Sequence, residues 1–181
     1  MAIQPTAMFV GVLALLCLRN GHAFCTPTPD AAGHVNITGT EVWDSQFAEC
    51  GLKLKSVTIP DSVTSIGLRA FLGTGLTEVT IPNSVTTIGR SAFEGCAKLS
   101  SVKLPNSVTT IGRNAFAQTA ITTMVIPNGV TSLGNELFDE CASLASVTIG
   151  NSVQTIGAKA FHKCTSLTSV VSVNHALIGG I

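Results

Sequence analysis

The sequence predicts a β-rich solenoid, and three observations carry that prediction. A unit opening on leucine or isoleucine recurs at Leu54, Leu76, Leu99, Ile121, Leu144 and Leu167, at intervals of 22 or 23 residues. Inside each unit the apolar letters keep their places, as in Leu76-x-x-Val79-x-Ile81-Pro82-x-x-Val85-x-x-Ile88-Gly89-x-x-Ala92-Phe93. A phenylalanine closes every full copy, giving Phe71, Phe93, Phe116, Phe138 and Phe161. A period in the twenties built on leucine-x-x-aliphatic-x-aliphatic marks stacked coils, because one coil buries too little apolar surface to stand alone.

Residues 1–23 read as a secretory signal peptide. Met8 to Leu18 is an apolar run of eleven residues, about half the length of a membrane span. Gly21-His22-Ala23 follows, with small residues where a signal peptidase cuts. No Lys or Arg precedes Met8, so only the amino terminus supplies the usual positive charge; the alternative is an uncleaved apolar N-terminus. Residues 24–35, with Pro27 and Pro29, are expected to form a loose leader. Val42 to Cys50 mimics the back half of a repeat, with Phe47 and Cys50 in register with Phe93 and Cys96 and with Trp43 in the glycine slot. Residues 36–53 therefore read as a capping half-coil, the whole of 24–53 preceding the repeats.

The solenoid proper spans 54–173, five repeats and a partial sixth. In each repeat Val79 and Ile81 or their equivalents point one way and Thr80 the other, the alternation of a strand. Pro60, Pro82, Pro105 and Pro127 end that strand, since proline lacks the N–H that a ladder needs. A second extended stretch, such as Val85-Thr86-Thr87-Ile88, ends at Gly67, Gly89, Gly112, Gly134 or Gly157. Five glycines in one slot predict a positive φ there. The next residues, such as Arg90 to Gly95, are expected to make one helical or 3-10 turn. The five phenylalanines are predicted to stack as an internal spine. Residues 174–181 form an apolar, uncharged tail, a poor cover for an open sheet edge. It leaves three possibilities: a tail folded over the last coil, an edge that meets another chain end to end, or a fragment of a longer array.

Cys96, Cys141 and Cys164 each follow a spine phenylalanine by three residues and share one column. Neighbouring coils about 4.8 Å apart permit a disulfide between Cys141 and Cys164, whereas Cys96 lies two coils from Cys141. The alternative, which the column favours, is a row of buried thiols acting as small hydrophobes. Cys25 and Cys50 have the freedom to tie down the N-terminal end. No cysteine or histidine spacing resembles a metal site.

The unit L-x-x-V-x-I-P-N-S-V-T-T-I-G-x-x-A-F-x-x-C resembles the BspA-type leucine-rich repeats, also called the Treponema pallidum class. Gly150 in place of proline, Leu137 in place of alanine, and one-residue deletions that remove the cysteine from the first and third copies are the departures. The resemblance implies inner-face strands, a second short strand across each coil, secreted or surface display, and binding of proteins or extracellular matrix. It supplies no catalytic residues.

With formal net charge zero and 11% charged residues, the chain offers no footprint for nucleic acid. The 45% hydrophobic content falls at core positions, without a membrane span in the mature chain. No phosphate loop, nucleophile elbow or metal-binding histidine pair is present, so no enzyme, cofactor or metal is expected. His34, His162 and His175 are scattered, and His162 is expected to face solvent. Two columns project from the first strands: Ser56, Glu78, Ser101, Thr123, Ser146 and Ser169, and Thr58, Thr80, Lys103, Val125, Thr148 and Val171. This flat polar face is the candidate protein-binding surface, although it lacks the aromatic and arginine anchors common at interfaces. Threonine rows on the second strand (Thr64, Thr86, Thr109, Thr131) suggest ice or crystal binding, against the plain strand preference of threonine. A third reading is a structural unit that self-assembles end to end. Asn36-Ile37-Thr38 is an N-glycosylation acceptor.

Overall fold

A computed structural model describes Cys25 and residues 27–172. The expected signal peptide (1–23) and the apolar tail (174–181) lie outside the described residues. Two parallel ladders run along the molecule. In the first, His34–Asn36 pairs with Ser56–Thr58, and Glu78–Thr80 with Ser101–Lys103. Thr123–Val125 pairs with Ser146–Ile149, which pairs in turn with Ser169–Ser172. In the second, Glu41–Val42, Ser65–Ile66, Thr87–Ile88 and Thr110–Ile111 form one run, and Ser132–Leu133 pairs with Thr155–Ile156. All pairs are parallel and keep equivalent letters of the repeat side by side, so each repeat is one coil of a solenoid.

A third column of hydrogen bonds holds the return turns together. The N–H groups of Arg69, Phe71 and Gly73 donate to the carbonyls of Arg90, Ala92 and Glu94 in the next coil, at 2.8–2.9 Å. Ser91, Phe93 and Gly95 do the same to Arg113, Ala115 and Ala117. This corrects the expected helical turn. Alternate N–H groups leave their own coil, so they are not free to bond back within it; the intervening ones close tight turns, such as Leu72 to Arg69. Residues at the bends, among them Arg69, Ser91, Asn114, Glu136 and Lys159, sit at φ between 54° and 59°. Among the described residues the one 3-10 helix is Ala48–Lys53, in the N-terminal cap.

The glycine column also has a different cause from the one expected. Gly67, Gly89, Gly112, Gly134 and Gly157 are not among the residues with positive φ. They are glycine because the coils touch there. A Cβ on Gly89 would lie 2.6 Å from the Gly67 carbonyl carbon, and one on Gly112 would lie 2.5 Å from the Arg90 nitrogen. Trp43 takes the same slot in the first coil, where its side chain is exposed.

The core is one continuous cluster of buried aliphatic side chains and the phenylalanine column. Rings of Phe47, Phe71, Phe93, Phe116, Phe138 and Phe161 stack at 5.1–5.9 Å and within 13° of parallel. The first five are buried and Phe161 is half-buried at the C-terminal end. Cys96, Cys141 and Cys164 are free thiols, so the pair Cys141–Cys164 is not bridged. Their sulfurs turn instead toward the carbonyls of Phe71, Phe116 and Phe138 in the preceding coil, at 3.0–3.1 Å. Thr74 and Thr119 fill the same buried column in the two coils that lack cysteine, each hydroxyl donating to the carbonyl of its own coil's phenylalanine.

The N-terminal end is tied rather than loose. Cys25 is bridged to Cys50, the Asp30 carboxylate accepts the N–H groups of Ala32 and His34, and His34–Asn36 enters the first ladder. The leader expected over 24–35 thus includes the start of a strand, because its residues find backbone partners on the first full coil.

Candidate binding surface

Outward side chains of the first ladder assemble the face that the sequence singles out. Thr58, Glu78, Thr80, Ser101, Lys103, Thr123, Val125 and Thr148 are exposed there, while Ser56 and Ser146 are half-buried. Residues between them, Val79, Val102, Met124 and Val147, turn into the core. Strand alternation therefore fixes which side chains are offered and holds them on a rigid backbone. Val125 at 64% and Val171 at 53% exposure give the C-terminal half an apolar stripe on either side of Thr148.

Two residues extend this face that repeat spacing did not reveal. His34 stands beside Ser56 and Asn36 beside Thr58, so they head the two columns. His34 Nδ1 is 2.8 Å from Ser56 Oγ, and its Nε2 is 3.1 Å from Thr58 Oγ1. A strand starting at His34 lacks the leucine that opens every repeat; pairing with Ser56–Thr58 defines it instead. Around this end lies a shallow depression of about 640 Å³, lined by His34, Thr58, Asp61, Glu78, Asn83 and Lys103 among others. It is open to solvent and mixes both charge signs, which suits surface contact rather than enclosure of a small molecule.

Elsewhere the polar groups are engaged with neighbouring coils. The hydroxyls of Thr64, Thr86 and Thr109 donate to carbonyls of Thr40, Thr64 and Thr86. They are thus partly occupied, which weakens the case for an ordered-water or ice surface. On the return turns Arg113 Nη2 is 2.7 Å from Glu136 Oε2, and Lys163 pairs with Glu140. The Arg113 guanidinium holds the Glu136 carboxyl below its ordinary range. Lys163, with Gln118, does the same for Glu140. His162 is exposed, with Nδ1 2.6 Å from Asp139 Oδ1. Burial pushes the Cys96 thiol up to about 11, so at neutral pH it is protonated and a poor nucleophile. No group of His, Cys, Asp and Glu among the described residues is arranged to hold a metal, and none of their helices is long and apolar enough to cross a membrane.

The repeat region matches the family described as BspA type leucine-rich repeat region in six copies over residues 40–172. The chain belongs to that family. Among solved structures, this leucine-rich-repeat chain is similar to the Treponema pallidum leucine-rich repeat protein, with 32% identity over 79% of this chain and 65% of that one, at a TM-score of 0.58. A leucine-rich repeat protein from Eubacterium ventriosum is 26% identical over 83% of this chain and 43% of that one, at a TM-score of 0.69. The pneumococcal vaccine antigen PcpA, 18% identical over 81% of this chain and 54% of that one, shares the fold at a TM-score of 0.57. The chain thus spans less than two thirds of each of these proteins. No curated protein matches it. Leucine-rich repeat proteins generally mediate protein–protein interaction, through the broad faces that a solenoid exposes.

Proposed function

We propose that this chain is a secreted or surface-displayed, non-enzymatic binding protein that engages a protein or extracellular-matrix ligand through its first-strand face. The observation that carries this reading is the pair of outward columns from His34 and Asn36 to Ser169 and Val171, carried on three parallel-paired groups of first strands and largely exposed. Secretion is supported by the signal-like residues 1–23 and by the Cys25–Cys50 bridge, a bond that persists in oxidising compartments. An N-glycan on Asn36 belongs to the same reading and would stand at the head of one column. The test is affinity capture from the extracellular milieu with residues 24–181 as bait, beside a variant carrying Thr80→Arg and Val125→Arg. Partners retained by the native bait and lost by the variant support the face. Capture that the variant leaves intact removes it.

A second reading, self-association at the C-terminal end, rests on one observation. The N–H groups of Lys159, Phe161 and Lys163 have no carbonyl acceptor among the described residues, whereas Glu136, Phe138 and Glu140 one coil earlier donate to Ala158, Ala160 and His162. Sedimentation velocity over a wide concentration range decides it, a constant monomer counting against association.

A further inference from the structure

We propose that a second docking surface lies along the edge that follows the second strand, and that it takes an acidic peptide segment with an apolar residue beside its carboxylates. It is independent of the first-strand face. Arg69, Arg90 and Arg113 are all the arginines beyond residue 23; the coil register stacks Arg90 with Arg113 and sets Arg69 one position further along the preceding coil. The Arg69 N–H donates to the Arg90 carbonyl at 2.9 Å, and the Ser91 N–H to the Arg113 carbonyl at 2.9 Å. All three side chains are exposed. Arg113 is already engaged by Glu136, but the guanidinium groups of Arg69 and Arg90 have no partner among the described residues.

At the N-terminal side of this edge stand two apolar side chains that the core does not use, Leu68 at 38% and Trp43 at 46% exposure. They lie one position apart on neighbouring coils: Leu68 is opposite Asp44, whose carboxylate accepts the Leu68 N–H at 2.7 Å, and Trp43 precedes Asp44 in sequence. Tryptophan and arginine are the residue types that dominate interface energy, and the first-strand face has neither. A guanidinium fork matches a carboxylate in two parallel hydrogen bonds. Coils about 4.8 Å apart let two neighbouring arginines hold two carboxylates of one extended segment, while Trp43 and Leu68 receive its apolar side chain. In a chain of zero net charge, this local excess of cation is not a diffuse property. The apolar pair favours a peptide over a sulfated polysaccharide, which offers charge alone.

The experiment measures fluorescence anisotropy of a labelled peptide repeating Glu-Ser-Glu-Ser-Leu-Ser, which puts its Glu and Leu side chains on one face of an extended segment, against the full chain. Saturable binding that weakens with added salt, and that falls about tenfold or more in the R69Q/R90Q double variant, supports the proposal. So does a comparable loss in W43S/L68S, provided thermal unfolding of each variant matches the native chain. T80A/T123A, on the other face, should bind as the native chain does. Three results overturn it: equal binding of a Lys and Leu peptide, unchanged binding by R69Q/R90Q, or equal binding of heparin and of an all-Glu peptide. The last would show a polyanion surface without peptide recognition.

Discussion

Single positions in this solenoid are constrained by the coil next door rather than by their own backbone. Gly89 is the clearest case, with the Gly67 carbonyl group where its Cβ would stand. Gly89→Ala must push two coils apart, and should cost about 1–3 kcal/mol in urea unfolding. Gly95 is the contrast. Its φ is 72°, its nearest neighbours to a Cβ are 3.6 Å away, and Gln118, Glu140 and Lys163 hold the equivalent bend without glycine. Gly95→Asn should stay within about 0.5 kcal/mol of the native chain. The thiol column gives a pH signature. Cys96 rises from 9.0 to about 11 on folding, chiefly by desolvation, and Cys164 also to about 11. Between those values the unfolded chain loses protons that the folded chain keeps, so stability is full below pH 9 and falls as pH rises toward 11. Replacing all three thiols by threonine, the residue that Thr74 and Thr119 already place in this column, should flatten that alkaline decline. Equal pH slopes in the two proteins would show that the thiols are not its source.

At the level of the coil, the phenylalanine column links each unit to both neighbours. Phe93 stacks on Phe71 at 5.1 Å and on Phe116 at 5.5 Å, so Phe93→Ala should lose about 3–5 kcal/mol. Phe161 has one stacking partner, Phe138, and is half-buried; Phe161→Ala should cost clearly less by the same denaturant titration. The column was legible in the sequence because a fixed period and one aromatic per unit suffice to place it, and the outward columns Ser56 to Ser146 and Thr58 to Thr148 followed from strand alternation. The return turn was not. Letters such as Arg90 to Gly95 do not say whether an N–H bonds within its coil or to the next, and the answer changes a helix into a chain of bends. The glycine slot was recognised by recurrence, yet its cause is contact between coils, which no single coil displays. His34 and Asn36 escaped for a related reason: they belong to the face through pairing with Ser56–Thr58, without carrying the repeat themselves. The arginine edge was also hidden, since Arg69 and Arg90 fall one residue apart in the unit and reach neighbouring places on one edge only when coils stack.

The described part of the solenoid is asymmetric along its axis. Its N-terminal end is closed by the Cys25–Cys50 bridge and by a fully buried Phe47, whereas Phe161, Cys164, Leu167 and Val170 are only partly covered. In a stack whose stability comes from neighbours, opening should start at the less covered end and spread inward. Hydrogen exchange reads this at single amides. Glu136, Phe138 and Glu140 donate across to the next coil and should exchange slowly, through unfolding of the coils on either side. Lys159, Phe161 and Lys163 occupy the same places without an acceptor among the described residues, and should exchange much faster although Phe161 stacks in the core. Protection of these three amides that grows with protein concentration would mean that a second copy supplies the missing carbonyls, and would give the C-terminal end a binding role. Protection that is the same at every concentration would place the cover within one chain, and the two ends would then be alike in their closure.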